Sequence, residues 1–140
     1  MFLFPVIDLR GNKVVRLMQG RYDQQTTYGD DPVQQAQAFQ AAGATCLHVV
    51  DLDGARTGHM EHLDVIGRIC KETSLKVEVG GGVRTSGAID ALLQRGVERV
   101  IVGTAAIENW TWFEKLMGNP TYTHRIVLGL DAKSGMAAKS

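Results

Sequence analysis

Residues 75–82, Leu75-Lys76-Val77-Glu78-Val79-Gly80-Gly81-Gly82, join a short run rich in β-branched residues directly to a triple-glycine turn. Runs of the same kind recur along the chain, so that the full set is Leu3–Ile7, Cys46–Val50, Leu75–Val79, Val100–Val102 and Ile126–Leu130. Short, near-continuous apolar runs are typical of strands that are buried on both faces of a parallel sheet. We therefore predict five parallel strands.

Helical segments lie between these runs. Cap and stop residues bound three of them, and an apolar face marks a fourth: Asp31-Pro32 to Gly43, Thr85-Ser86 to Gly96, Asn109 to Gly118, and Leu63–Lys71. Alternating strands and helices with short connections predict right-handed βαβ units on a parallel sheet. The predicted fold class is therefore α/β, a (β/α)₈ TIM barrel.

The chain of 140 residues holds only part of such a barrel, which typically needs about 250 residues. We expect one domain, residues 1–140, that comprises four βα units and strand five, with the C-terminal half absent. Lys13–Met18 follows Gly11-Asn12 and is predicted to form a hairpin with strand one. The stretch around Asp131 repeats the pattern around Asp8, and residues Met136–Ser140 would begin a second such hairpin.

Charge and composition exclude several classes of partner. Lys+Arg and Asp+Glu are 15 each, so no basic excess favours nucleic acid or a membrane surface. No stretch is long and apolar enough to span a membrane. The apolar N-terminus lacks a basic leader and is interpreted as a strand, not a signal peptide. Cys46 and Cys70 form no metal or redox motif, which favours buried thiols in a reducing cytoplasm.

Glycine or aspartate follows every predicted strand. The positions are Asp8, Asp51 and Asp53, Gly80-Gly81-Gly82, Gly103-Thr104, and Asp131. Active sites of barrel enzymes are built at this C-terminal face of the strands. Two neighbouring glycine turns that open helices predict a shared phosphate site, since their backbone N–H groups can approach an anion closely. A single strand-end aspartate, in contrast, is more often a helix cap or a turn former.

Asp8 and Asp131 are four strands apart, which places them on opposite sides of the mouth of a closed barrel. Two carboxylates that flank a substrate can divide the roles of proton acceptor and donor. The spacing does not say which residue has which role. The histidines form no evident constellation: His48 is predicted to be a packed core residue, and His59 and His62 to be exposed in the loop after strand two.

Six ordered blocks of sequence resemble the HisA family, the phosphoribosylformimino-aminoimidazole-carboxamide ribotide isomerases. The blocks are Phe4-Pro5-Val6-Ile7-Asp8-Leu9, Val14-Val15-Arg16-Leu17-Met18-Gln19-Gly20, His48-Val49-Val50-Asp51-Leu52-Asp53-Gly54-Ala55, Val79-Gly80-Gly81-Gly82-Val83-Arg84, Val102-Gly103-Thr104-Ala105-Ala106 and Leu130-Asp131-Ala132-Lys133. The resemblance covers the whole chain and the N-terminal half or so of the family's length.

The resemblance implies a histidine-biosynthesis isomerase that carries out a cofactor-free and metal-free Amadori rearrangement of the aminoaldose ProFAR to the aminoketose PRFAR. It implies that Asp8 is the proton acceptor and Asp131 the proton donor. Gly81, Gly82, Gly103 and Thr104 match the family's phosphate loops, and Arg16 and Arg84 match positions near the substrate. The implied partner is a small ribonucleotide with a phosphate at each end, and the full-length form is expected to be monomeric.

Two alternatives remain at this point. The sister cyclase family, HisF, shares the barrel, both aspartates and the glycine turns. It typically has Cys-Leu-Asp where this chain has Val6-Ile7-Asp8, and that difference favours the isomerase. The other alternative is a non-catalytic half barrel that binds phosphate or associates with itself through its exposed sheet edges.

Overall fold

The computed structural model describes residues 4–18, 21–29, 31–129, 132–133 and 136–137, and gives only the backbone for 16–18, 21–29, 132–133 and 136–137. Its strands are β1 (Val6–Arg10), β2 (Lys13–Met18), β3 (Arg21–Gly29), β4 (Cys46–Asp51), β5 (Lys76–Gly80), β6 (Arg99–Val102), β7 (Ile126–Leu128), β8 (Ala132–Lys133) and β9 (Met136–Ala137). Its helices are α1 (Pro32–Ala41), α2 (Leu52–Thr57), α3 (Leu63–Glu72), α4 (Ser86–Gln94), α5 (Thr104–Glu108) and α6 (Trp110–Met117), with a 3₁₀ turn at Pro120–Tyr122.

The main sheet has the strand order β3-β2-β1-β4-β5-β6-β7. The pairs from β1 through β4, β5 and β6 to β7 are all parallel. Their spatial order follows their order in the chain, without the reversal that marks a doubly wound sheet. This confirms the five predicted parallel strands and the α/β class, and it is the arrangement of a partial (β/α) barrel.

Burial alternates along each parallel strand. Ile7 and Leu9 of β1 are fully buried, whereas Val6 is 53% exposed. The buried set forms one core with helix residues such as Ile66, Ile89 and Phe113. Among the described residues, the helices therefore cover one face of the sheet and leave the concave face open. The prediction that the strands are buried on both faces is wrong for this chain. In the described part of the chain, only the face that the helices cover is buried, and the concave face is exposed.

The predicted hairpin between β1 and β2 is confirmed. Arg10 pairs with Lys13 across the two-residue turn Gly11-Asn12, and both turn residues have positive φ, +58° and +63°. This is the primed turn that suits the right-handed twist of a two-strand ribbon. The pair Lys133 and Met136 also leaves two residues between β8 and β9. The internal repeat predicted around Asp8 and Asp131 thus extends to the pairing of the two hairpins.

Three helices start as their cap residues predict. The Asp31 side chain accepts hydrogen bonds from two N–H groups of α1, Thr85 caps α4 through Ala88, and Asn109 caps α6. The sequence pattern did not predict β3, α2 or α5. Strand β1 also extends past the predicted end at Ile7 to Arg10, because it pairs with β2 as far as Arg10, and the predicted first residue, Leu3, lies outside the described residues.

Candidate functional site

Asp8 lies on the open concave face near the C-terminal edge of the parallel sheet. Its position in β1 is opposite Val50 of β4, which in turn is opposite Gly80 of β5. Neighbouring strands lie about 4.8 Å apart, so Asp8 and the glycine turn are about 10 Å from each other across this row. The sheet thus places the predicted acidic residue and the predicted phosphate loop on one edge.

Burial shapes the chemistry of Asp8. The carboxyl group is half-buried, and desolvation raises its pKa above the ordinary value, an effect that the nearby charge of His48 partly opposes. His48 is half-buried on the same concave face, so the prediction of a packed core histidine is wrong. The carboxyl group of Asp8 therefore binds its proton more tightly than a solvated aspartate.

The two glycine turns adjoin the same edge. Gly81 and Gly82 have φ of +98° and +80°, and Gly82 packs so closely that an added Cβ would lie 2.6 Å from the Gly54 carbonyl oxygen. These glycines are thus required by backbone conformation and by close packing against the segment after β4. Gly103 precedes α5 and supplies no capping side chain, and Thr104 is the first residue of that helix.

Arg84 lies between these turns and the outer helices. Its guanidinium pairs with the carboxylate of Glu108 at the end of α5, and its side chain packs 3.3 Å from the position of a Cβ on Gly58. The ion pair ties the loop after β5 to the helix after β6. Arg84 is partly exposed, with 39% of its side-chain area accessible, so its guanidinium is also accessible to a soluble anion.

The side chains of two predicted site residues, Arg16 and Asp131, lie outside the described part of the structure. The backbone of Arg16 lies in β2, opposite Thr26 of β3, but its side chain is outside the described part of the structure. Asp131 lies outside the described residues altogether. Of the predicted set, the strand pairing places Asp8 and the end of β5, where the first glycine turn begins, in one row, and Arg84 follows that turn and pairs with Glu108.

Asp51 organises the segment that follows β4. Its carboxylate is fully buried and accepts hydrogen bonds from the backbone N–H groups of Gly54, Glu61 and His62, at 2.7, 2.7 and 2.9 Å. One of these bonds caps α2, and the other two fix the chain ten residues further along. Asp51 is thus a structural anchor of the loop, as a strand-end aspartate most often is.

His62 is only 5% exposed, although it was not predicted as a site residue. Its Nε2 lies 2.6 Å from Oδ2 of Asp53, and its Nδ1 lies 2.9 Å from Oδ1 of Asn12. The prediction that His62 is an exposed loop residue is therefore wrong. The only signal in the sequence was its position directly before α3, four residues ahead of the apolar Ile66, in a loop that also holds the exposed His59.

Asp53 completes this network. Its Oδ2 also accepts a hydrogen bond from the N–H of Gly11 at 2.7 Å. Burial would raise the pKa of Asp53, but the hydrogen bonds from Gly11 and His62, with the charges of His62 and Arg10, outweigh it and lower the pKa. Ligand atoms of Asp51, Asp53 and His62 lie within 4.8 Å of one another. Because N–H donors already engage both carboxylates, we treat the group as a hydrogen-bond network and not as a cation site.

Parallel strands in chain order, helices on one face and polar residues at the C-terminal strand ends define the class of (β/α) barrel proteins. The family model described as "Histidine biosynthesis protein" matches residues 2–140, and the chain belongs to that family. No helix among the described residues is long and apolar enough to cross a membrane.

Two curated relatives are 46% and 49% identical to this chain over the aligned residues. The proteins from Geobacillus thermodenitrificans and Heliobacterium modesticaldum are 46% identical over 136 residues and 49% identical over 138 residues, which is 97% and 99% of this chain. Both are named 1-(5-phosphoribosyl)-5-((5-phosphoribosylamino)methylideneamino)imidazole-4-carboxamide isomerase. The matched regions are 55% and 56% of those proteins, so the chain spans about half the length of these relatives.

Proposed function

We propose that this chain forms the N-terminal half of the active site of an aldose–ketose isomerase of histidine biosynthesis. Its substrate would be the imidazole-carboxamide ribonucleotide after which the relatives are named. The observation that carries the proposal is the place of Asp8, half-buried in the same row as the glycine turn at the C-terminal edge of the sheet. Membership of a family of histidine-biosynthesis proteins supports the choice of this reaction.

The proposed reaction is an Amadori rearrangement. An acid protonates the ribose ring oxygen, and the ring opens to a Schiff base. A base then removes the proton from the adjacent sugar carbon, and the resulting enolamine tautomerises to the aminoketose. The reaction is an isomerisation, so no external oxidant or reductant is consumed.

We assign the proton acceptor to Asp8 and the proton donor to Asp131. A base acts best when its pKa approaches the working pH, and the raised pKa of Asp8 is a shift in that direction. The assignment of Asp131 rests on the sequence repeat, in which Gly129-Leu130-Asp131 resembles Val6-Ile7-Asp8. Its chemical role follows from the resemblance to the isomerase family.

We assign one phosphate of the substrate to the turns that contain Gly81, Gly82, Gly103 and Thr104. In support of this assignment, the two turns follow β5 and β6 of the sheet that contains Asp8, and backbone N–H groups at turns that open helices can bind anions. Arg84 would exchange its partner Glu108 for this phosphate, and Arg16 would contact the substrate from the hairpin. The free thiols Cys46 and Cys70 favour a reducing compartment, so we place the reaction in the cytoplasm.

The test uses a chimera in which residues 1–140 are followed by the remaining C-terminal part of the Geobacillus thermodenitrificans relative. We expect the purified chimera to convert the aminoaldose to the aminoketose, followed by absorbance or by chromatography of the product. The relative itself is the positive control. A chimera that folds cooperatively but shows no turnover would contradict the proposal, and cyclase activity on the aminoketose with ammonia would favour the sister family.

A further inference from the structure

We propose that His62 is a positioning residue that holds the β1–β2 hairpin against the segment after β4. The hairpin carries Arg16 in β2, and its turn, Gly11-Asn12, lies at the same edge of the sheet as Asp8. Part of this inference, the effect on substrate binding, rests on the proposed isomerase function. The structural part does not depend on it.

The imidazole of His62 connects two segments that are far apart in the sequence. Its Nδ1 contacts the side chain of Asn12, 50 residues away, and its Nε2 contacts Asp53. The backbone N–H of His62 is fixed separately by the carboxylate of Asp51. His62 is therefore held on its own segment by two bonds, one from its backbone and one from its ring, and the other ring nitrogen contacts the hairpin turn.

Burial makes this contact energetically significant. The ring is almost completely removed from solvent, and a hydrogen bond to a charged group is stronger there than at an exposed site. The turn has a second bond to the same segment, from the Gly11 N–H to Asp53. Removing the His62 ring would release the Asn12 side chain and leave the Asp53 carboxylate with one donor fewer, so that the remaining bond from Gly11 would open more often.

Asp8 and the hairpin, two parts of the proposed active site, differ in how the sheet supports them. Asp8 belongs to β1, which is held in the sheet by β4 and by β2 on its two sides. Strand β2 is paired with β3 as well, but the turn Gly11-Asn12 lies beyond the last pair between β1 and β4, so the position of the turn depends more on its own contacts. Loss of the His62 ring should therefore weaken substrate binding by the hairpin and leave proton abstraction by Asp8 nearly unchanged.

The first test is amide hydrogen exchange on the chain with His62→Leu, which keeps a buried apolar side chain but has no ring nitrogen. We expect exchange at Gly11 and Asn12 to rise by about tenfold, whereas amides of the central strands β4 and β5 stay unchanged. His59→Leu is the matched control, because His59 lies in the same loop but is exposed. Unchanged exchange at Gly11 and Asn12 in His62→Leu would overturn the inference.

The second test measures KM and kcat in the chimera. His62→Leu should raise KM by about tenfold and change kcat by less than about twofold. His62→Gln should restore part of the loss, since its amide NH2 group can donate to the Asp53 carboxylate or to Oδ1 of Asn12. A merely destabilising substitution would instead lower the amount of active protein at constant KM.

The two tests together separate the role of His62 from the proposed function. Increased exchange in an inactive chimera would reject the proposed function alone. An active chimera with unchanged KM and unchanged exchange would reject the role of His62 alone.

Discussion

The ionised form of Asp8 is costly to the folded state because burial raises its pKa. The folded chain then binds this proton more tightly than the unfolded chain, so stability falls as pH rises from the ordinary aspartate value through the raised one. Asp8→Asn removes a carboxylate that must be charged at neutral pH. We expect the variant to have a higher Tm than the parent chain near neutrality, with the difference vanishing in acid, as followed by circular dichroism. A lower Tm of Asp8→Asn at neutral pH would contradict this account.

A substitution at Gly81 tests whether close backbone packing requires glycine in the turn after β5. A Cβ at Gly81 would lie 2.4 Å from the carbonyl oxygen of Asp51, and φ there is +98°. We expect Gly81→Ala to lower the free energy of unfolding by at least about 2 kcal/mol in urea denaturation.

The matched control is Gly87→Ala in α4, where the nearest atom to an added Cβ is 3.8 Å away. That substitution should stabilise the chain by about 0.5–1 kcal/mol, because alanine is the better helix former. Equal effects at Gly81 and Gly87 would show that the turn tolerates a side chain.

The sequence located the acid–base candidate Asp8 and the glycine turns, because strand ends and glycine clusters are local signals. It did not locate the burial of His62 or the three bonds of Asp51. Both depend on contacts over distances of up to 50 residues, between the hairpin turn and the segment after β4. The positions of Asp51, Asp53 and His62 along the chain follow no regular period, so the sequence alone does not predict that their side chains form one network.

Asp31 and Asp51 both cap helices, but they should differ in what they contribute to stability. Asp31 is exposed and accepts two bonds at the start of α1, so Asp31→Ala should cost about 1 kcal/mol. Asp51 is buried and accepts three bonds, two of them from the loop before α3, so Asp51→Ala should cost about 3 kcal/mol or more. Urea denaturation of the two variants measures both values. Equal losses would show that Asp51 acts as a helix cap alone.

Strand–helix alternation and cap residues predicted the elements that carry buried apolar residues. They did not predict β3, whose sequence Arg21–Gly29 is polar and has no apolar alternation. The pairing of β3 with β2 is what makes it a strand. The helices α2 and α5, of six and five residues, were missed because they are too short to show a helical period.

The open concave face is the main feature of the molecule as a whole. Val6 is 53% exposed on this face, and β7 pairs only with β6 among the described strands. An uncovered sheet face and a free strand edge favour association. We therefore propose that the 140-residue chain by itself forms dimers or larger assemblies, and we expect light scattering to show a mass that rises with concentration.

Val6→Lys, on the concave face, should shift the chain toward the monomer. Ile107→Lys provides the matched control, because Ile107 is 46% exposed on the outer helix α5 and should leave the association unchanged. A well-folded monomer at every concentration would contradict this proposal. Stronger association of the Val6 variant would contradict it as well.

The most direct test of the account is the rate of isomerisation by the chimera with Asp8→Asn. Asp64→Asn, an exposed position on α3, is the control and should retain the parent rate. If Asp8 is the base, we predict a loss of about 10²–10⁴-fold in kcat, in a protein that remains folded and is at least as stable as the parent. Turnover of the Asp8→Asn chimera near the parent rate would contradict the central claim that this residue removes the proton from the substrate.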